Sequence, residues 1–431
     1  MVCLGGRVAE LSIIDQPERS DAEGLLQNGC AQNGPGVLDL PQWRRVFIFG
    51  LLLCAEFLYG WAWNTVDVLR PFFRHSLNLS LIQAGSAYSA QGAGALVGAV
   101  VAGQLADRFD RRQVLAGLIL GYGLVLMVGV GVANYPELLA QRFVLGLFMG
   151  GSFPVGVSIY VTLFQARVRG RLAGILNVAF SSSIIALGLA LGFIGGRDWR
   201  LLFWAGGVPA VLIAAAVYLL LPRFARTARS SGDRLPVAEL FRPEFRKQTL
   251  LLATMTGLNF FGYQAFSGWL TTYLTSARDL DAAVAGELVA WQFTGNIIGG
   301  FVWGWAADRL GRRFNALGFF VAAGAIILYL AIPTQLSLLR AVGFLYGATI
   351  CCSVIWGPWL AELYPAHLRA TASSIFNWGR VISFFAPLIT ATIASRFGLA
   401  AAMLAGAGSF ILAAIIWLLQ PETLVRHAAR T

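Results

Sequence analysis

Residues Gly103–Arg112 read GQLADRFDRR, and residues Gly304–Arg313 read GWAADRLGRR, beginning 201 positions later (304 minus 103). Each is a short charged island between two long apolar runs. The chain is 57% hydrophobic and only 12% charged, against about 25% charged in a soluble domain. A soluble core could not hide so much apolar surface. The islands therefore mark the places where the chain leaves an apolar solvent.

Working outward from them gives twelve apolar spans, at 46–69, 82–105, 114–133, 137–160, 172–195, 200–221, 249–274, 284–306, 315–333, 338–360, 371–394 and 398–420. Each can cross a hydrocarbon layer of about 30 Å as a helix. The expected fold is an all-α membrane protein of 12 transmembrane helices in two pseudo-symmetric six-helix bundles. The divisions are an N-terminal tail at 1–44, a first bundle at 45–222, a polar linker at 223–248, a second bundle at 249–421 and a C-terminal tail at 422–431. The linker holds seven basic residues, from Arg223 to Lys247, with Pro236 and Pro243.

The net charge of +11 does not point to nucleic acid, because the basic residues sit in short clusters between apolar runs. With the N-terminus inside, the inner segments hold about 23 of them and the outer ones about 6, which places both termini in the cytoplasm. Arg142, Arg340 and Arg380 fall within spans. The N-terminal tail lacks the apolar core of a cleavable signal peptide.

The repeat extends beyond the islands. LAQRFVLG at Arg142 matches SLLRAVGF at Arg340, RVRGRLAG at Arg169 matches HLRATASS at Arg369, Asn177 matches Asn377 and Pro222 matches Pro421. One near-constant offset in five places implies two homologous halves.

The islands match a loop of the form Gly-x-x-x-Asp-Arg-x-Gly-Arg-Arg, and in this the chain resembles the major facilitator superfamily over residues 45–425. The first copy carries Asp110 where the family has Gly. AELYPAHLRATASSIFNWGR (361–380) and the closing PET (421–423) are similar to organic-acid, aromatic-acid and sialic-acid symporters and to sugar and organic-ion porters. Acid symporters carry Asp-Gly-x-Asp in span 1, where this chain reads YGWA at Tyr59–Ala62. The resemblance implies two bundles rocking about a central site. It also implies gating by Asp107, Arg108 and Arg112 in the first loop and by Asp308, Arg309 and Arg313 in the second. The two aspartates would lock the cytoplasmic side while the site faces outward.

Depth along the helices selects the chemistry. Arg380 lies about ten residues into span 11, roughly 15 Å deep at 1.5 Å per residue. Glu56 is similarly deep in span 1. A midplane charge is costly unless it faces a polar cavity or a partner. Guanidinium binds carboxylate bidentately, so Arg380 is the candidate site for an organic anion, with pairing to Glu56 or to helix-end carbonyls as the structural reading. Glu56 is the first candidate for proton coupling, and Asp67, three residues from Arg70, is the second. Asn259, Tyr263, Gln264 and Ser267 in span 7, Gln292 and Asn296 in span 8, Trp356 in span 10, and Asn377 and Trp378 in span 11 are candidate cavity walls. Arg142 and Arg340 are read as structural before ligand contacts.

No GxxxxGK[ST] phosphate loop, catalytic triad or metal spacing appears among these residues, and no cofactor is expected. The expected protein is a monomeric symporter in the bacterial inner membrane that carries a small organic anion, a monocarboxylate, with protons. Its partners are the substrate, protons and the lipid bilayer, with no nucleic acid. A porter of neutral sugars or organic cations is the alternative, and a sensing receptor with this fold the third reading.

Overall fold

The computed structural model of the 431-residue chain describes residues 40–164, 166–194, 198–223, 239–356, 359–360, 363–365, 368, 372 and 375–423. Among the described residues, twelve long helices follow one another along the chain. In the first half they are α1 (Gln42–Val68), α2 (Leu81–Arg108), α3 (Arg111–Val128), α4 (Tyr135–Leu163), α5 (Ala166–Ile194) and α6 (Leu201–Leu220). In the second half they are α7 (Pro243–Ser276), α8 (Ala282–Leu310), α9 (Ala316–Ala331), α10 (Leu336–Ile350), α11 (Ile375–Phe397) and α12 (Leu399–Leu418). A short helix, Arg70–Ser76, links α1 to α2, and a 3-10 turn, Cys351–Ile355, extends α10. Each expected span lies on one of the twelve.

Ten of these helices are apolar and long enough to cross a membrane by composition alone. α7 and α8 are the other two. Both exceed the required length, but Asn259, Gln264, Ser267, Gln292 and Asn296 dilute their apolar runs. α7 also begins earlier than expected, at Pro243 rather than 249. Proline fits the first turn of a helix, where its missing N–H goes unused, so the end of the expected linker is helical. The tails and residues 224–238 of the linker lie outside the described residues.

Apolar packing forms two cores that divide along the halves, one centred on residues such as Leu52, Tyr122 and Leu145, the other on Phe266, Phe319 and Trp417. The pairings repeat between halves. α1 packs on α5 and α6, α2 on α4, and α3 on α4 and α6. α7 packs likewise on α11 and α12, α8 on α10, and α9 on α10 and α12. Between the bundles, α2 meets α11 and α5 meets α8, each pair the image of the other.

The glycine content has a use in these pairings. At Gly98 of α2 a Cβ would collide with the carbonyl of Leu147, and at Gly146 of α4 with that of Gln91. The image contacts are Gly299 against Ala348 and Gly347 against Gln292. Small residues permit this backbone approach where lipid supplies no hydrophobic drive between helices. The register corrects one pairing drawn from sequence. Gly146 aligns with Gly347, so Arg142 aligns with Gly343, and Arg340 lies about one turn away from that position.

Contacts between the bundles gather at the end where α1 meets the short helix. There Ser89 Oγ donates to the Phe384 carbonyl, and Gly188 packs on Gly286. At the opposite end, where the two loop repeats lie, a side chain added at Gly174 of α5 or at Gly304 of α8 would meet nothing within 4 Å.

Candidate functional site

Arg380 lies one and a half turns into α11 and is partly exposed. Its guanidinium sits 5.5 Å from the Phe260 ring centre of α7 and lies within electrostatic reach of Tyr59 of α1. It therefore faces the first bundle from the second. Its Nε is buried and has no hydrogen-bond partner among the described residues. A buried donor without a partner is expensive, and a carboxylate would satisfy it. Glu56, one turn from Tyr59 on α1 and 9% exposed, lies within electrostatic reach of Arg380.

Asp67 stands in a separate cluster toward the closed end. Its carboxylate accepts from Arg70 and from Gln264 Nε2 of α7 at 2.8 Å. Arg70 also donates to the Gly268 carbonyl and lies 4.3 Å over the Trp269 ring. Asp67, Arg70 and Gln264 thus tie α1 and the short helix to α7. Arg142 of α4 is fully buried nearby, donating to Thr65 Oγ1 at 2.9 Å and to Gln91 Oε1 at 3.5 Å. Its Nε and Nη2 have no partner.

The polar residues of α7 and α8 form a third group. Gln292 Nε2 donates to Ser267 Oγ at 2.7 Å, and Ser267 shares a 3.3 Å hydrogen bond with the Tyr346 hydroxyl. Asn296 accepts from Ser181 Oγ of α5 at 3.1 Å, across the bundle interface. Carbonyl oxygens of Asn259, Gln264 and Gln292 are buried without partners. Tyr263 is partly buried in the same stretch of α7.

Two tryptophans expected at the cavity lie elsewhere. Trp356 is fully buried, edge-on to Phe319 at 5.5 Å and to Trp417 at 5.0 Å. Trp378 stacks on Phe241, 5.9 Å away at the linker end of the second bundle. The Asn377 side chain lies outside the described residues. Arg340 pairs with Glu287 of α8, its Nε 2.9 Å from Oε1.

In the loop repeats, the gating candidates Arg112, Asp308, Arg309 and Arg313 are engaged within their own halves. Asp110 caps α3 by accepting from the Arg112 N–H at 3.0 Å. Arg112 reaches the Leu221 carbonyl at 3.2 Å. In the second loop Gly311 adopts φ of 113°, a backbone glycine tolerates. Glu422 then accepts from the N–H groups of Arg312 at 2.9 Å and Arg313 at 3.0 Å. Asp308 pairs with Arg312 at 2.7 Å. Arg108 and Arg313 are exposed, and Arg309 lies against Trp305. The Asp107 side chain lies outside the described residues.

Sequence reasoning missed Tyr59, Phe260, Thr65 and Gln91. For the aromatic pair the apolar pattern carries no signal for which ring faces a cavity. Gln91 could have been found, since a lone amide in an apolar span is costly against lipid.

The model of the Major Facilitator Superfamily matches residues 52–286 and 252–430. The chain is 26% identical over 392 residues to a probable 4-methylmuconolactone transporter of Cupriavidus pinatubonensis, covering 84% of this chain and 89% of that one. It is 26% identical over 370 residues to a cis,cis-muconate transport protein of Acinetobacter baylyi, covering 82% and 88%. A bacterial homolog of the human lysosomal transporter Spinster, solved inward-facing and occupied, superposes with a TM-score of 0.72 at 16% identity, over 88% of this chain and 97% of that one.

Proposed function

The chain belongs to the major facilitator superfamily and is a multi-pass membrane transporter; from that premise we propose that it is a proton-coupled symporter of a small organic anion, a monocarboxylate foremost. It works as a monomer by alternating access in the bacterial inner membrane, with both termini and both loop repeats in the cytoplasm. The names of its relatives, which handle muconate and a muconolactone, support an organic acid.

The observation that carries this reading is Arg380. It lies against Phe260 of its own bundle and within electrostatic reach of Tyr59 and Glu56 of the other, with a buried Nε awaiting an acceptor. A substrate carboxylate there would bridge the bundles and favour their closure, because an unpaired buried charge resists it. Glu56 is the proton carrier, since Asp67 is committed to Arg70 and Gln264. With Glu56 protonated, the carboxylate and Arg380 neutralise one another.

The test is thermal stabilisation of the purified protein by a panel of aliphatic and aromatic acids, sugars and organic cations. Acids should stabilise the wild type and not Arg380→Ala. Stabilisation of both proteins alike removes the anion site. The group formed by Ser267, Gln292 and Tyr346 favours a second reading, a neutral sugar, which stabilisation by sugars alone would establish. Glu56→Gln should keep acid binding and lose accumulation driven by a pH gradient.

A further inference from the structure

A narrow crevice is walled by the first bundle and reaches Glu56 and Tyr59, which lie within electrostatic reach of Arg380. Its lining comes from α1, α3, α4 and α5 alone, and includes Glu56, Tyr59, Tyr122, Ser152, Gly156 and Tyr160. Glu56 lies at its inner part. From Ser152 to Tyr160 the α4 wall rises eight residues, about 12 Å, and ends one turn short of the helix terminus at Leu163. The crevice therefore descends from Glu56 toward the end of the molecule that carries the loop repeats. A carboxylate and four hydroxyl side chains line walls that are otherwise apolar. Its water-accessible volume of about 20 Å³ has room for about one water, which needs two to four polar partners. At Gly156 an added side chain would meet nothing within 4 Å, so the helix leaves this room unfilled.

We propose that the crevice is a hydrated proton route to Glu56, separate from the path by which substrate enters between the bundles. A proton arriving on a crevice water adds to a Glu56 carboxylate oxygen, and on release returns to that water as hydronium. Substrate at Arg380 then need not clear the chamber for Glu56 to exchange its proton. This rests on the reading of Glu56 as the proton carrier.

Radiolytic footprinting tests the hydration without any substrate. Tyr122 and Tyr160 are buried, as is Tyr329 in the second bundle, which packs edge-on against Phe266. Tyr122 and Tyr160 should be oxidised several-fold faster than Tyr329, and Gly156→Leu should remove the difference. Equal protection of all three overturns the proposal. In proteoliposomes, Gly156→Leu should slow several-fold the pH-gradient-driven uptake of the monocarboxylate that most stabilises the purified protein, while sparing its counterflow exchange without a gradient. Equal loss of both, or of neither, also overturns it. If Glu56→Gln retains gradient-driven uptake, the symport reading itself fails. If Glu56→Gln loses it and Gly156→Leu does not, the route alone fails.

Discussion

The carboxylate of Asp67 and the amide of Gln264 meet at 2.8 Å across the boundary between the two bundles. Asp67 is also held by Arg70 from its own side, so the amide adds a charge-assisted bond that exists only while this end is closed. Bonds to charged groups contribute about 1.5–3 kcal/mol. Gln264→Ala should therefore leave the fold intact and shift the population toward opening at this end by about tenfold or more. Spin-label distances between α1 and α7 at this end would report the shift, and an unchanged distribution would show that Gln264 is no latch. Asp67→Asn should behave differently. It strands the Arg70 guanidinium, which is fully buried, and breaking such a pair costs about 3–5 kcal/mol, so lowered folding yield should precede any effect on gating.

The glycine contacts make a paired prediction. Gly98→Val and Gly299→Val each drive a side chain into a backbone carbonyl, of Leu147 and of Ala348 respectively. Overpacking of this kind costs about 1–3 kcal/mol. Because the sites are images of one another, the two losses should be similar. Gly117→Val and Gly408→Val meet open space and should change little. Thermal denaturation of the four variants in one detergent measures this, and unequal losses at Gly98 and Gly299 would mean that the halves are not equally packed there.

The twelve spans and the two halves were legible because lipid imposes a length and a polarity on each helix. Charge depth was legible too: it singled out Arg380 and Glu56, which lie within electrostatic reach of one another. Side-chain direction was less so. Trp356 and Tyr59 are both aromatic residues in apolar spans, yet one packs between Phe319 and Trp417 and the other lies within electrostatic reach of Arg380. The contact of Glu422 with Arg312 joins positions 110 residues apart, and nothing local in either segment announces it.

That contact gives the third prediction. The loop repeats solve one problem, the unpaired N–H groups opening the helix after the loop, with different acids. Asp110 does it from within the first loop. In the second, Gly311 turns the backbone and Glu422 arrives from beyond α12. Losing a cap costs about 0.5–2 kcal/mol, so Asp110→Ala and Glu422→Ala should each lose stability in that range, read as a lowered Tm. Only Glu422→Ala should also loosen the end of α12, which hydrogen exchange near Leu418 would detect. Protection there that matches the wild type would reduce Glu422 to a local cap.

The contact of α5 with α8 supplies the last prediction. A Cβ at Gly286 would strike the carbonyl of Gly188, and one turn further out Gly192 packs on Ala283. These contacts belong to the closed end, and at their image on α2 and α11 a Cβ at Gly85 would lie 2.9 Å from the Pro387 carbonyl, farther than one at Gly286 from the Gly188 carbonyl. The α5 and α8 pair therefore approaches more closely than its counterpart and tolerates added volume less. Gly286→Val should block closure here without disturbing the packing inside either bundle, since the collision is between bundles. A cysteine at Ala283 should then react faster with a water-soluble thiol reagent than in the parent protein, while Tm falls little. A large fall in Tm with no gain in reactivity would place this contact in the permanent core of the protein and not in its moving interface.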